Sequence, residues 1–191
     1  KRTRGLTDAT ALIGCRVSDG HLFEIKVWEQ PEGPAGEGWE VPITEVDYQV
    51  RQAFENYKVV GMFADPAKWE SYIAQWEADF GKNLKVKSTL NHPIEWWMTG
   101  NRSYLVVRAL EQFQNAVIDK ELTHSGLALS RHVLNSRRRL GRSGVSIAKE
   151  HPESPNKIDA AVAAVLAYQA RLQALSKGEA TKTTFVPRRI R

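Results

Sequence analysis

Residues 10–17 (TALIGCRV) form an unbroken apolar and β-branched run, closed by the turn signal Ser18-Asp19-Gly20. It is followed by 21–28 (HLFEIKVW), in which apolar and polar residues partly alternate. An apolar run of strand length fits a strand buried on both faces, and two such runs across a tight turn fit an antiparallel hairpin. A strand buried on both faces needs cover on both, which helices elsewhere in the chain can supply.

The remaining pattern does so. The Pro- and Gly-rich stretch 30–38 predicts a surface loop. Thr44 then stands where it can cap a helix carrying Val46, Val50 and Phe54 at helical spacing and ending near Tyr57. Residues 58–64 (KVVGMFA) predict a buried strand that stops at Asp65. Pro66 is placed to open a helix running to Phe80, with Gly81 as its C-cap. Residues 84–90 alternate like a strand, and 91–102, with Pro, Gly and two adjacent tryptophans, predict an irregular loop. Helices are expected over 103–119, 125–139 and 158–175, with a short strand at 145–148. The fold class is α/β, a mixed sheet flanked by helices on both faces.

One domain fills 191 residues of which 42% are hydrophobic. The single cysteine, Cys15, sits in the first apolar run and can form no intrachain disulfide. No apolar stretch approaches the roughly 18 residues of a membrane span, and the basic N-terminus lacks a signal-peptide core, so a soluble intracellular protein with no membrane partner is expected. The net charge of +5 collects at Arg131, Arg137, Arg138, Arg139 and Arg142 and again at Lys182, Arg188, Arg189 and Arg191. Clusters of this sign suit contact with the phosphates of DNA, or equally a solvated helix face.

Asp65, where a strand gives way to a helix, occupies the position at which α/β folds place ligands, and an Asp-Pro helix cap explains it equally. Asp159 opens an alanine-rich helix, where the helix dipole also favours a carboxylate. Asp8 precedes the first strand and is either an accessory ligand or a turn residue. Phosphodiester hydrolysis by two divalent ions about 3.5–4 Å apart needs hard carboxylate oxygens from separate elements. Asp65 and Asp159 meet that need with two Mg²⁺ or Mn²⁺ ions. Zinc is disfavoured because no Cys or His pair has ligand spacing. The histidines stand apart from any Ser or Cys in a nucleophile setting, and no GxxxxGK loop occurs, so neither a hydrolase triad nor ATP hydrolysis by this chain is expected.

The ordered set TDATALIGCR, FEIKVWEQP with GWEVP, VVGMFADPAKWESYIAQW, LSRHVLNSRRR and KEHPESPNKIDAAVAAVLAYQAR resembles the C-terminal nuclease domain of phage terminase large subunits. The resemblance implies an RNase H-like fold and a metal-dependent endonuclease that cuts concatemeric double-stranded DNA during genome packaging. It further implies an ATPase motor elsewhere in the protein and a place in the host cytoplasm, on the procapsid. Portal protein and the small terminase subunit would be partners of the full-length protein. Of the family's three acidic positions, the second matches Asp65 and the third Asp159. The first lies on a strand that precedes the segment corresponding to Lys1–Asp8, and this sequence does not contain it.

The expected organisation is therefore a nuclease domain over 1–176, its first strand upstream of residue 1, and a basic tail over 177–191. Lys149 and Lys157, near Asp159, are candidates to contact the scissile phosphate. Arg131 and His132, with Arg137, Arg138, Arg139 and Arg142, resemble a family segment beside the DNA path. Another RNase H-like nuclease of the resolvase or transposase type, and a non-catalytic DNA-binding module, are the competing readings.

Overall fold

The computed structural model describes residues 9–100, 103–141, 144–152 and 154–179. The expected hairpin is present: β1 (Ala9–Cys15) pairs antiparallel with β2 (Leu22–Glu29), with a register shift after Leu12 that leaves Ile25 as a bulge. A short β3 (His124–Ser125) adds in parallel to the start of β2, so the small sheet is mixed. A second, two-stranded ribbon joins β4 (Arg137–Gly141) and β5 (Gly144–Ala148).

The two faces of β1 bury different layers. Leu12, with Trp28 of β2, packs toward α1 (Ile43–Asn56) and α2 (Glu70–Phe80), around Val46, Val50, Ile73 and Trp76. Ala11, Ile13 and Cys15 pack toward α5 (Asp159–Ser176). There Leu129 of α4 (Leu127–Asn135) and Phe113 of α3 (Ser103–Ile118) complete the layer. The architecture is mixed α/β with helices on both faces of the sheet. Alanines make α5 thin on its sheet side: Ala160 and Ala164 are both 0% exposed, so its backbone approaches β1 closely. On the other face Trp76 Nε1 donates to Asp47 at 2.8 Å, and the rings of Phe54 and Phe80 stack at 4.0 Å, tying α1 to α2.

Several boundaries depart from expectation. Residues 58–64 are extended but form no ladder strand. Val60 O accepts the amides of Lys85 and Val86, and Ala64 forms a single parallel bridge with Glu95. Residues 84–90 are correspondingly irregular. The second helix starts at Glu70 because Lys68 takes a left-handed conformation (φ 70°), which breaks a ladder begun at Pro66. Gly81 does cap it, in a right-handed conformation. A Cβ there would stand 2.4 Å from Glu77 O and 2.7 Å from Pro93 Cγ, so close approach, not backbone handedness, requires the glycine. Thr44 lies inside the first turn of α1, whose first amides bond to Pro42 O. The helix expected over 125–139 divides, because Ser136 is extended and Arg137–Gly141 pairs with Gly144–Ala148. Cross-strand pairing with Val145 and Ile147 outweighs the helical propensity of the arginines.

Candidate functional site

The extended stretch 57–65 lies in the plane of the sheet. Met62 and Ala64 join the cluster of α1 and α2, while Val60 and Phe63 join that of Leu166 and Ala170 on α5. It thus has the same two neighbours above and below as β1. No backbone hydrogen bond joins it to β1 among the described residues. Between them runs a cleft of about 1160 Å³, floored by Val46 and Val50 and roofed by Val162 and Leu166.

The two ends of the cleft differ chemically. Lys177 Nζ at the end of α5 reaches Lys85 O, and Lys85 pairs with Val60, so 60–65 runs toward the opening turn of α5. Asp65 and Asp159 therefore lie toward one end, both in the cleft wall, with Lys149 and Lys68 also in its lining. The other end carries Cys15 and the buried Arg171, whose Nε donates to Val17 O at 3.0 Å. Burial pushes the Cys15 thiol up to about 12, which keeps it from acting as a nucleophile at neutral pH.

Asp65 is held by the strand end beneath it. Ala64 donates to Ile94 O and accepts from Trp96 N, at 3.0 and 2.7 Å, and Glu77 Oε1 of α2 accepts the amides of Ile94 and Glu95 at 2.8 and 3.0 Å. Burial raises the Asp65 pKa, opposed by hydrogen bonds from the amides of Ala67 and Met98. A carboxyl whose folded pKa exceeds its unfolded value ionises more readily in the unfolded chain. Stability then falls as pH rises from the unfolded toward the folded value and stays lower above it. Asp65→Asn is accordingly expected to have a higher Tm than wild type near pH 8, with the gain vanishing below the ordinary carboxylate pKa of about 3.9. Thermal unfolding at both pH values checks this.

Asp159 is the first residue of α5 and its Oδ2 is buried. With Asp65 it offers hard oxygen donors suited to Mg²⁺ or Mn²⁺ and unsuited to a zinc site. No group of three His, Cys, Asp or Glu residues converges among the described residues. Asp8 lies outside the described residues; Ala9, next to it, lines the cleft. Lys149, half-buried after β5, lines the cleft, whereas Lys157 does not, and its carbonyl accepts from Asn135 Nδ2 at 3.0 Å.

The basic cluster separates into different roles. Arg138 and Arg139 are exposed on β4. Arg137, also exposed, turns Nη1 to Leu134 O at 2.7 Å, at the end of α4. Arg131 pairs with Glu29, and Arg142 lies outside the described residues. His132 corrects the expectation of a DNA contact: it is 0% exposed and both its ring nitrogens are engaged inside the protein. Sequence reasoning did not find Lys68, Met98 or Glu77, because a left-handed lysine and two loop-holding contacts leave no periodic signal. Among the described residues, no helix is long and apolar enough to cross a membrane.

The chain is 42% identical over 166 residues to the Gene 13 protein of Mycobacterium phage L5 and 41% identical over 166 residues to that of Mycobacterium phage D29. Each match covers 86% of this chain and 27% of the phage protein, so the chain spans about a quarter of the length of these relatives. No family model and no solved structure matches it.

Proposed function

We propose that the chain is the RNase H-like nuclease domain of a phage DNA-packaging terminase large subunit, cutting double-stranded DNA with two Mg²⁺ or Mn²⁺ ions. The observation that carries this reading is that Asp65 and Asp159, 94 positions apart by their residue numbers, line one end of a single cleft. Divalent ions held there would supply an activated water and steady the leaving oxygen. Asp65 and Asp159 would hold them, and Lys149, which lines the same cleft, would contact the scissile phosphate. Arg138 and Arg139 present an exposed basic edge for the DNA backbone.

The cleft also supports a first strand upstream of residue 1. Its walls are two in-plane segments without mutual hydrogen bonds, its roof and floor are apolar, and one guanidinium nitrogen of Arg171 has no acceptor among the described residues. Arg171 lies near Val17, beyond the end of β1, so β1 starts at the carboxylate end. A strand entering at the Arg171 end and leaving at the carboxylate end, where the chain continues to Ala9, would run antiparallel to β1, fill the gap and bring the third carboxylate. Domain 1–176 and tail 177–191 follow from the same reading. So do the portal protein and small terminase subunit as partners of a longer protein, and the host cytoplasm as its place.

The deciding experiment is plasmid cleavage by the chain, with and without about ten further upstream residues, in Mn²⁺, Mg²⁺ and EDTA. Metal-dependent cutting that requires the extension supports the reading, and DNA binding without cutting in any metal overturns it. A non-catalytic DNA-binding module is the second reading, supported by the exposed arginines of β4 alone. Under either, Arg138→Ala and Arg139→Ala are expected to weaken DNA binding. Each should lower the slope of log affinity against log salt by about 0.9 per lost phosphate contact, measured by fluorescence anisotropy across a salt series.

A further inference from the structure

The first turn of α5 is held from outside the helix. Ile158 precedes it and offers no side-chain acceptor. Ala161 and Val162 donate back to Ile158 O at 2.9 and 3.1 Å, but the Ala160 amide, an orphan at any helix start, donates to His132 Nδ1 of α4 at 2.9 Å. Ala160 and His132 are both 0% exposed, so no water can replace that acceptor.

An imidazole nitrogen that accepts carries no proton. The ring proton is therefore on Nε2, which donates to Glu29 Oε1 at 2.5 Å. Glu29, at the end of β2, also receives Arg131, and Glu24 of the same strand accepts the Leu129 amide. The peptide that joins Asp159 to Ala160 is thus tied through one buried imidazole to α4 and the sheet.

We propose that His132 is a positioning residue for Asp159, its Nδ1 fixing the α5 turn and Glu29 fixing its tautomer. This rests on the nuclease reading for what Asp159 does, but not for the hydrogen bonds themselves. Partners that orient metal ligands from behind typically change metal affinity or activity by about 10–100-fold when removed.

Two measurements on the upstream-extended chain test it. In ¹⁵N NMR, wild-type His132 is expected as the Nε2–H tautomer with a slowly exchanging Ala160 amide. An Nδ1–H tautomer or a fast Ala160 amide overturns the proposal whatever the enzyme does. In cleavage assays well below Tm, His132→Leu is expected to raise the Mn²⁺ concentration for half-maximal rate by about 10-fold or more. His132→Gln, which can both accept and donate, is expected to restore most of it. Leu129→Ala, which loosens the same layer but leaves the acceptor, is expected to lower Tm without moving the Mn²⁺ midpoint. If His132→Leu lowers Tm as Leu129→Ala does and leaves the midpoint within about twofold of wild type, the histidine is structural only. A wild type that never responds to Mn²⁺ overturns the positioning role together with the nuclease reading, while the NMR result identifies which of the two hydrogen bonds stands.

Discussion

Asp65→Ala and Asp159→Ala will each reduce metal-dependent cleavage of plasmid DNA by at least about a thousandfold in the upstream-extended chain, a loss of roughly 4 kcal/mol of transition-state stabilisation. Each substitution removes a hard oxygen donor from one end of the cleft, and no neighbouring His, Cys, Asp or Glu group of three stands ready to replace it among the described residues. DNA affinity should stay the same or rise slightly, because a negative charge is lost and the arginines of β4 are untouched. Tm gives the internal control. Asp159→Ala forfeits a favourable helix-dipole interaction of about 0.3–1 kcal/mol, while loss of the half-buried Asp65 charge should not destabilise the fold. Gel assays of nicking, paired with anisotropy on the same duplex, read both quantities. If either alanine variant cuts within about tenfold of wild type, that aspartate is a helix or turn cap and the two-carboxylate centre is wrong.

Leu129→Ala carries the largest expected stability loss, about 2–5 kcal/mol. Leu129 is 1% exposed and wedged among Ile13, Leu22, Ala160 and Ala164, where the sheet meets α5. Its neighbours on α5 are alanines already against the sheet, so the helix cannot fill the void by extending a longer side chain into it. The loss corresponds to about 2–4 °C of Tm per kcal/mol in a domain of this size. Leu127 and Leu134 on the same helix are 87% and 76% exposed, and alanine at either should stay within about 0.5 kcal/mol of wild type. Urea titration of the three variants separates them. A Leu129→Ala chain as stable as Leu134→Ala would mean that α4 does not seat on the sheet as described.

Where local pattern and tertiary packing agree, the fold was legible in the sequence. The hairpin across Ser18-Asp19-Gly20 was expected and found, as were α1, α3 and α5 to within a residue or two. Residues 58–64 carried a strand signal because they are buried on both faces, but burial does not specify partners, and among the described residues the segment pairs only on the side of 85–86 and 94–96. Pro66 predicted a helix start that the left-handed Lys68 delays by four residues, a backbone choice with no compositional trace. The arginines of β4 looked helical because arginine is a good helix former, and only Val145 and Ile147 in the partner strand reverse that. The candidate site was legible to the same degree. Asp65 and Asp159 each stood at an element boundary, but that they share a cleft depends on the long-range packing of α5 over 57–65. His132 looked like one more residue of a basic surface; its burial and its bond to Ala160 belong to tertiary structure alone.

Open sheet edges ordinarily recruit strands from neighbouring molecules, and proteins blunt them with lysines, prolines or bulges. The facing edges of β1 and 57–65 carry none of the first two along Ala9–Cys15 and 59–64. Their protection is spatial instead. α1 lies below these edges and α5 above them, so an intruding chain cannot approach either edge across the faces of the sheet. Only a strand of the same chain, such as the proposed upstream one, is then positioned to pair with both edges, and the two helices do for them what gatekeeper side chains do elsewhere.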